Sequence, residues 1–294
     1  MEKALLLDLG IMPYGAAWEL QKQVWRLRVE GKIPDALILV EHPPVITLGK
    51  SGKASNLLVP EQELQRRGIE LFRVERGGDI TYHGPGQLVG YPIFFIREAI
   101  AGVHAFVTRV EESLIHALAA QRIRAEAQPQ MSTDGHGVRK EGYQPQTNAD
   151  ERRPGASESE PQTSAGECRS ERSGLESARV GAGRRRRGSK LTGVWAGNDK
   201  VAAIGIAVSR RVSFHGFALN VNTELSAFQL ITPCGIKDKG VTSMAQLLDM
   251  PVSMPVVKHQ VVSAFETVFG IELVLTSRER VLNPCPECHR QGKP

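Results

Sequence analysis

Cys234 stands between Pro233 and Gly235 in the run Ile231-Thr-Pro-Cys-Gly-Ile236. The proline fixes the backbone on one side of the thiol, and the glycine leaves room on the other for a substrate to approach the sulfur. A thiolate so placed could capture an acyl group as a thioester. A core cysteine would more naturally sit among branched apolar residues, but one cysteine motif does not separate the two readings. Lys200 directly precedes the apolar run Val201-Ala-Ala-Ile-Gly-Ile-Ala207. An ammonium at the edge of such a segment is partly desolvated, which favours the neutral amine and suits a base; while charged it would favour a nearby thiolate. The ordinary alternative is a solvated lysine at a strand end.

The third feature is Arg76-Gly-Gly-Asp-Ile-Thr-Tyr-His-Gly-Pro-Gly-Gln87. Four glycines and a proline in so short a stretch predict a tightly turning loop that presents backbone amides. Arg76, Asp79, Thr81, Tyr82 and His83 add polar tips. A glycine-rich hairpin with incidental polar residues is the plainer reading. His42 falls where an apolar strand gives way to Pro43-Pro44, a place that suits a site residue or a ring bonded to loop backbone equally well.

The surrounding elements must hold these groups. Leu5–Leu9 reads as an opening strand, and Ala17, Leu20, Val24 and Leu27 recur at helical spacing from about Tyr14 to Glu30. Strands are expected at 36–40 and 45–48, a short helix at 61–67, and strands at 69–74 and 88–95, on either side of the glycine-rich loop. Val103, Phe106, Val110, Leu114 and Leu118 mark one face of a long helix read as core only. Beyond a turn at 196–200, strands are expected at 201–208 and 216–221. A helix beginning near Met244, another carrying Val257, Val261, Phe265 and Val268, and a strand at 271–275 close the pattern. The alternation with short strand-to-strand links predicts an α+β fold, a mixed sheet with flanking helices.

From Glu126 to Lys190 the chain has no Ile, Phe or Trp and ends near the run Arg184–Arg187. Such a segment cannot bury enough side chain to offset its ordering entropy, so 126–190 reads as a disordered low-complexity insertion in one domain made of 1–125 and 191–278. The arginine run inflates the net charge of +5, which therefore says little about nucleic acid. No apolar stretch is long enough to span a bilayer and no signal-peptide core opens the chain, so a soluble cytoplasmic protein is expected. The tail 279–294 carries Cys285-x-x-Cys288-His289, half a zinc pattern or a haem-attachment spacing. With only Cys168 and Cys234 left, no metal site is expected.

Arg76–Gln87, Gly193-Val-Trp195 with Lys200–Gly205, His215-Gly-Phe-Ala-Leu-Asn220 and Pro233–Ile236 together resemble the lipoyl(octanoyl) transferases. These enzymes share the fold of biotin and lipoate protein ligases. The similarity runs over roughly 5–125 and 191–275. It implies a Cys/Lys acyltransferase with Cys234 as nucleophile and Lys200 as the proton-transfer lysine. It also implies a substrate site formed by Arg76, Gly77, Gly78, Asp79, Thr81, Tyr82, His83, Gly84, Gln87, Ala203, Ile204, Gly205, His215, Gly216, Ala218 and Asn220. Backbone amides near Cys234 and the region of Gly77, Gly78 and His83 are expected to face the oxyanion, and Leu88 to help line an acyl groove. His83 could instead order the loop.

The implied donor is octanoyl-acyl carrier protein. The implied acceptors are lipoyl domains of 2-oxoacid dehydrogenases and the glycine cleavage H protein, with no cofactor, nucleic acid or membrane, and a monomer is expected. Thioester to thioester to amide needs no ATP, and the loop lacks the Gly-Arg-Gly-Arg pattern by which biotin ligases hold an adenylate. The alternatives are an ATP-dependent lipoate or octanoate ligase, or a non-catalytic protein of the same fold that binds acyl chains or nucleic acid.

Overall fold

Residues 36–40 are apolar throughout because both faces of their strand are covered. The computed structural model describes residues 1–97, 102–127, 192–232 and 239–284. The first half runs β1 (Glu2–Ile11), α1 (Tyr14–Val29), β2 (Ala36–Glu41), β3 (Val45–Leu48), α2 (Glu61–Arg66), β4 (Glu70–Arg73), β5 (Ile80–His83), β6 (Gln87–Ile93) and α3 (Val103–Ala120). Then follow β7 (Glu126–Ala127), β8 (Gly193–Ala196), β9 (Asp199–Ser209), β10 (Val212–Asn220), β11 (Gly240–Val241), α4 (Met244–Leu248), α5 (Met254–Phe269), β12 (Ile271–Leu275) and α6 (Arg278–Leu282). Short 3-10 turns occupy Ala54–Asn56 and Leu225–Leu230.

The main sheet has the order β12-β1-β2-β6-β10-β9-β8-β7, with β11 added beside β9. β1 lies parallel to both β12 and β2, and the run from β2 to β7 is antiparallel, so the sheet is mixed as expected. Side chains alternate across it. Leu37, Leu39, Leu88, Phe217 and Leu219 pack with Phe106, Val110 and Leu114 of α3 and with Val257, Val261 and Phe265 of α5. Ile38, Val40, Val89, Tyr91 and Ala218 pack with Ala17, Leu20 and Val24 of α1. Each fully buried aliphatic side chain contributes roughly 1.5–3 kcal/mol. A second sheet, β4-β3-β5, has its own cluster of Ile46, Leu48, Ile80, Tyr82, Leu230 and Ile231.

Four expectations are corrected. The stretch 76–87 is not one loop: Ile80–His83 forms a strand, because Ile80 and Tyr82 alternate into that second cluster. Glu126 and Ala127, expected to open the disordered insertion, instead pair with Trp195 and Val194; the rest of that expectation, residues 128–190, lies outside the described residues. The tail does not begin at 279, because α6 runs to Leu282 and buries Val281 in the α1 cluster. Leu88 is wholly buried between β6, α3 and α5 and lines no acyl groove. Cys168, Arg184–Arg187, Cys285, Cys288 and His289 lie outside the described residues. Among those described, no helix is long and apolar enough to cross a membrane, and no group of His, Cys, Asp or Glu could hold a metal ion.

Candidate active site

The turn before β5 is pinned from two sides. Arg76 is buried, and its guanidinium donates to the Thr47 carbonyl (2.7 Å), to Thr47 Oγ1 (3.0 and 3.2 Å) and to the Gly77 carbonyl (2.9 Å). Gly77 N–H donates to Ile206 O (3.2 Å), which seats the turn on β9. That approach requires glycine on both sides: a Cβ on Gly205 would lie 2.9 Å from Gly77 O, and one on Gly77 3.0 Å from Ile206 O. Asp79 accepts from Asn56 Nδ2 (2.6 Å) and from Lys53 N–H (3.3 Å), tying the turn to the 54–56 segment. Thr81 pairs with Thr47 across the strands, and the Tyr82 ring closes over Gly84.

A chain of side-chain hydrogen bonds then crosses the sheet. His83 Nδ1 meets Gln87 Oε1 (2.8 Å), and Gln87 Nε2 donates to the Tyr82 carbonyl (3.2 Å) and to Asn220 Oδ1 (2.9 Å). Asn220 Nδ2 donates to the Thr242 carbonyl (2.9 Å), and Thr242 N–H donates to the Lys200 carbonyl (3.0 Å). Carbonyl oxygens only accept, so Tyr82 and Thr242 fix the orientation of both amides. Gln87 therefore turns Oε1 toward His83, and His83 carries its proton on Nδ1. Burial, with the neighbouring His42 and Arg76, pushes His83 down to about 3, so the ring is neutral. Its only N–H is spent on Gln87, leaving none for an oxyanion. His83 orders the loop.

His42 is structural too. Nδ1–H donates to the Met12 carbonyl (2.7 Å), Nε2 accepts from the Tyr91 hydroxyl (2.7 Å), and burial holds the ring at about 4. Tyr14 stacks on His83 at 5.9 Å and meets His42 edge-on at 5.3 Å. His215 sits in β10 with φ +56°, uncommon for a residue with a side chain, and its backbone N–H donates to Gln21 Oε1 (3.1 Å). Burial and then the charges of Arg76, Lys22 and Lys50 push His215 down to about 3. Gly216 abuts Gly90, and Ala218 packs in the α1 cluster. Ala203, Ile204 and Gly205 are half-buried on β9, and Gly205 faces the Arg76–Gly78 turn.

Lys200 lies inside β9 rather than ahead of it, because the turn is only Gly197–Asn198. Nζ donates to the Thr192 carbonyl (3.1 Å) and stands 4.7 Å from the centre of the Trp195 ring. Lys239 Nζ stands 4.6 Å from the same ring. Cys234 falls in 233–238, outside the described residues. Thr232 N–H donates to Asn56 O (2.7 Å), beside Asp79, while Gly240 and Val241 pair with Asp199 and Lys200.

Sequence reasoning missed Thr47, Asn56 and Thr242, which hold Arg76, Asp79 and Asn220; they act through backbone position or a single short side chain and leave no signal in the sequence.

A model of the lipoyl protein ligase A/B catalytic domain matches residues 13–148 and 168–266 of the chain. The chain is 37% identical over 275 residues to the octanoyltransferase of Caldicellulosiruptor bescii, covering 94% of this chain and 95% of that one. To the octanoyltransferase of Rubrobacter xylanophilus it is 39% identical over 275 residues, covering 92% and 96%. The chain belongs to this catalytic-domain family and, within it, to the octanoyltransferases. Among solved structures, the bipartite lipoate protein ligase of an archaeal lipoylation system from Thermoplasma acidophilum aligns with TM-score 0.58 at 13% identity, covering 99% and 93%, a likeness of fold.

Proposed function

We propose that this octanoyltransferase takes its acyl group from octanoyl-acyl carrier protein and delivers it to the target lysine of lipoyl domains, including those of 2-oxoacid dehydrogenases and the glycine cleavage H protein, through a thioester on Cys234. The Cys234 thiolate, with Lys200 as the ammonium, attacks the thioester carbonyl carbon, and the phosphopantetheine thiolate leaves and takes up the proton that Lys200 gives, which leaves the Lys200 amine neutral. The acceptor amine then attacks the octanoyl-cysteine. Its proton passes to Lys200, and the Cys234 thiolate leaves as the amide forms. Both steps go through a tetrahedral oxyanion, for which backbone amides near Cys234 and in the 76–78 turn are the proposed donors.

The carrying observation is the hydrogen-bonded chain His83–Gln87–Asn220–Thr242–Lys200, which joins three of the four separated sequence blocks. Intact-protein mass spectrometry tests the reading. Octanoyl-acyl carrier protein should leave one octanoyl adduct on Cys234, and added lipoyl domain should remove it without ATP. Cys234→Ala should lose the adduct while Cys168→Ala keeps it. Equal capture by both variants, or modification of the domain only with free octanoate and ATP, would overturn the assignment.

A further inference from the structure

Glu111 is a carboxylate on the buried face of α3, only 5% exposed, and the acyl transfer described above gives it no part. A buried carboxylate costs stability unless something meets it. Here Oε1 accepts the Gly193 N–H at 3.0 Å. The carbonyl of that same peptide unit belongs to Thr192, and it accepts from Lys200 Nζ at 3.1 Å. One planar amide thus has its positive N–H end on the carboxylate and its negative C=O end on the ammonium. Hydrogen bonds linked in this way polarise and strengthen one another.

Gly193 makes the arrangement possible. Its φ is +138°, and a Cβ there would lie 2.5 Å from Ala202 O and 3.3 Å from Lys200 Cε, in the path of the lysine stem.

We propose that Glu111 is a positioning residue for Lys200, acting through the Thr192–Gly193 peptide to orient the ammonium and hold its charge. This rests on the reading of Lys200 as the proton-transfer residue. Among the described residues, the charged groups around Lys200 are Glu111 from α3, Lys239 on the shared Trp195 ring, and its neighbour Asp199, whose carboxylate lies against Gly240. Glu111 favours the ammonium and Lys239 opposes it. His104, also on α3, acts on Glu111. Burial raises Glu111, while the Gly193 N–H, His104 and Lys200 pull it back toward the ionised form.

The test is the titration of the Lys200 amine in the intact enzyme without acyl donor, read by mass spectrometry as the rate of Lys200 acetylation by acetic anhydride across the alkaline range. Glu111→Gln keeps the acceptor for Gly193 and the shape, and removes only the charge. Its Lys200 midpoint should fall by about half a pH unit, giving about threefold faster modification at a fixed pH below the midpoint. The limb of the acyl-transfer pH profile set by Lys200 should move with it. If Glu111→Gln does not fold, Glu111→Asp is read instead and should move the midpoint the same way by less. An unchanged Lys200 midpoint in the folded variant would overturn the proposal and leave Glu111 as a cap for Gly193. Full transfer activity in Lys200→Ala would instead overturn the functional reading, and the titration would still stand.

Discussion

Lowering the pH from about 7.5 to about 5 should destabilise this protein well before its carboxylates protonate. His42 and His83 are buried and held at about 4 and about 3, both well below the usual value for histidine. The unfolded chain takes up a proton at each ring as pH falls through about 6.5, while the native protein does not. Stability is therefore fully present above the unfolded value and is lost as pH falls below it. At about pH 5 each histidine costs about 2 kcal/mol, so the pair costs about 4 kcal/mol. His215, also held at about 3, adds in the same direction, offset by Glu75 Oε2, 3.9 Å from its Nε2. With a slope of about 2–3 kcal/mol per molar urea, the midpoint of urea unfolding should drop by roughly 1.5 M. Imidazole C2–H proton shifts supply the second reading. The signals of His42 and His83 should stay put to about pH 5. A urea midpoint that does not change between the two pH values, or a His83 signal that titrates near 6.5 in the native protein, would refute the reasoning.

Asn220→Leu removes the link between Gln87 and the Thr242 carbonyl. It should cost about 1–3 kcal/mol in chemical unfolding, and Cys234 acylation should slow by more than that stability loss explains; an unchanged acylation rate would count against the site. Gly205→Val places carbon 2.9 Å from Gly77 O, so the 76–78 turn should lift from β9, with exposure of the Gly77 amide seen in hydrogen exchange. Protection equal to wild type would show that the close approach is not required. Thr47→Val removes Oγ1 as an acceptor from the buried Arg76 guanidinium. It should lower stability by about 1–3 kcal/mol in thermal unfolding, whereas Thr47→Ser should cost far less; equal losses would point to packing instead.

The elements were largely legible along the chain, since apolar residues at helical or alternating spacing place α1, α3, α5 and the strands where the structure has them. The strand within 76–87 was hidden because glycines flank it and its partner, Val45–Leu48, is remote in sequence. The site divided in the same way. Residue types alone left Cys234 and Lys200 open between chemistry and a plainer role, and only the resemblance to a family proposes them as nucleophile and proton-transfer lysine. What a polar side chain is free to do depends on partners that the sequence keeps far apart. Gln87 and Asn220 are 133 residues apart, and Glu111 and Gly193 are 82 apart. Only the folded sheet brings such groups within hydrogen-bond reach. That contact spends the proton of His83 on holding the loop, locks Arg76 onto Thr47, and sets a buried carboxylate behind Lys200.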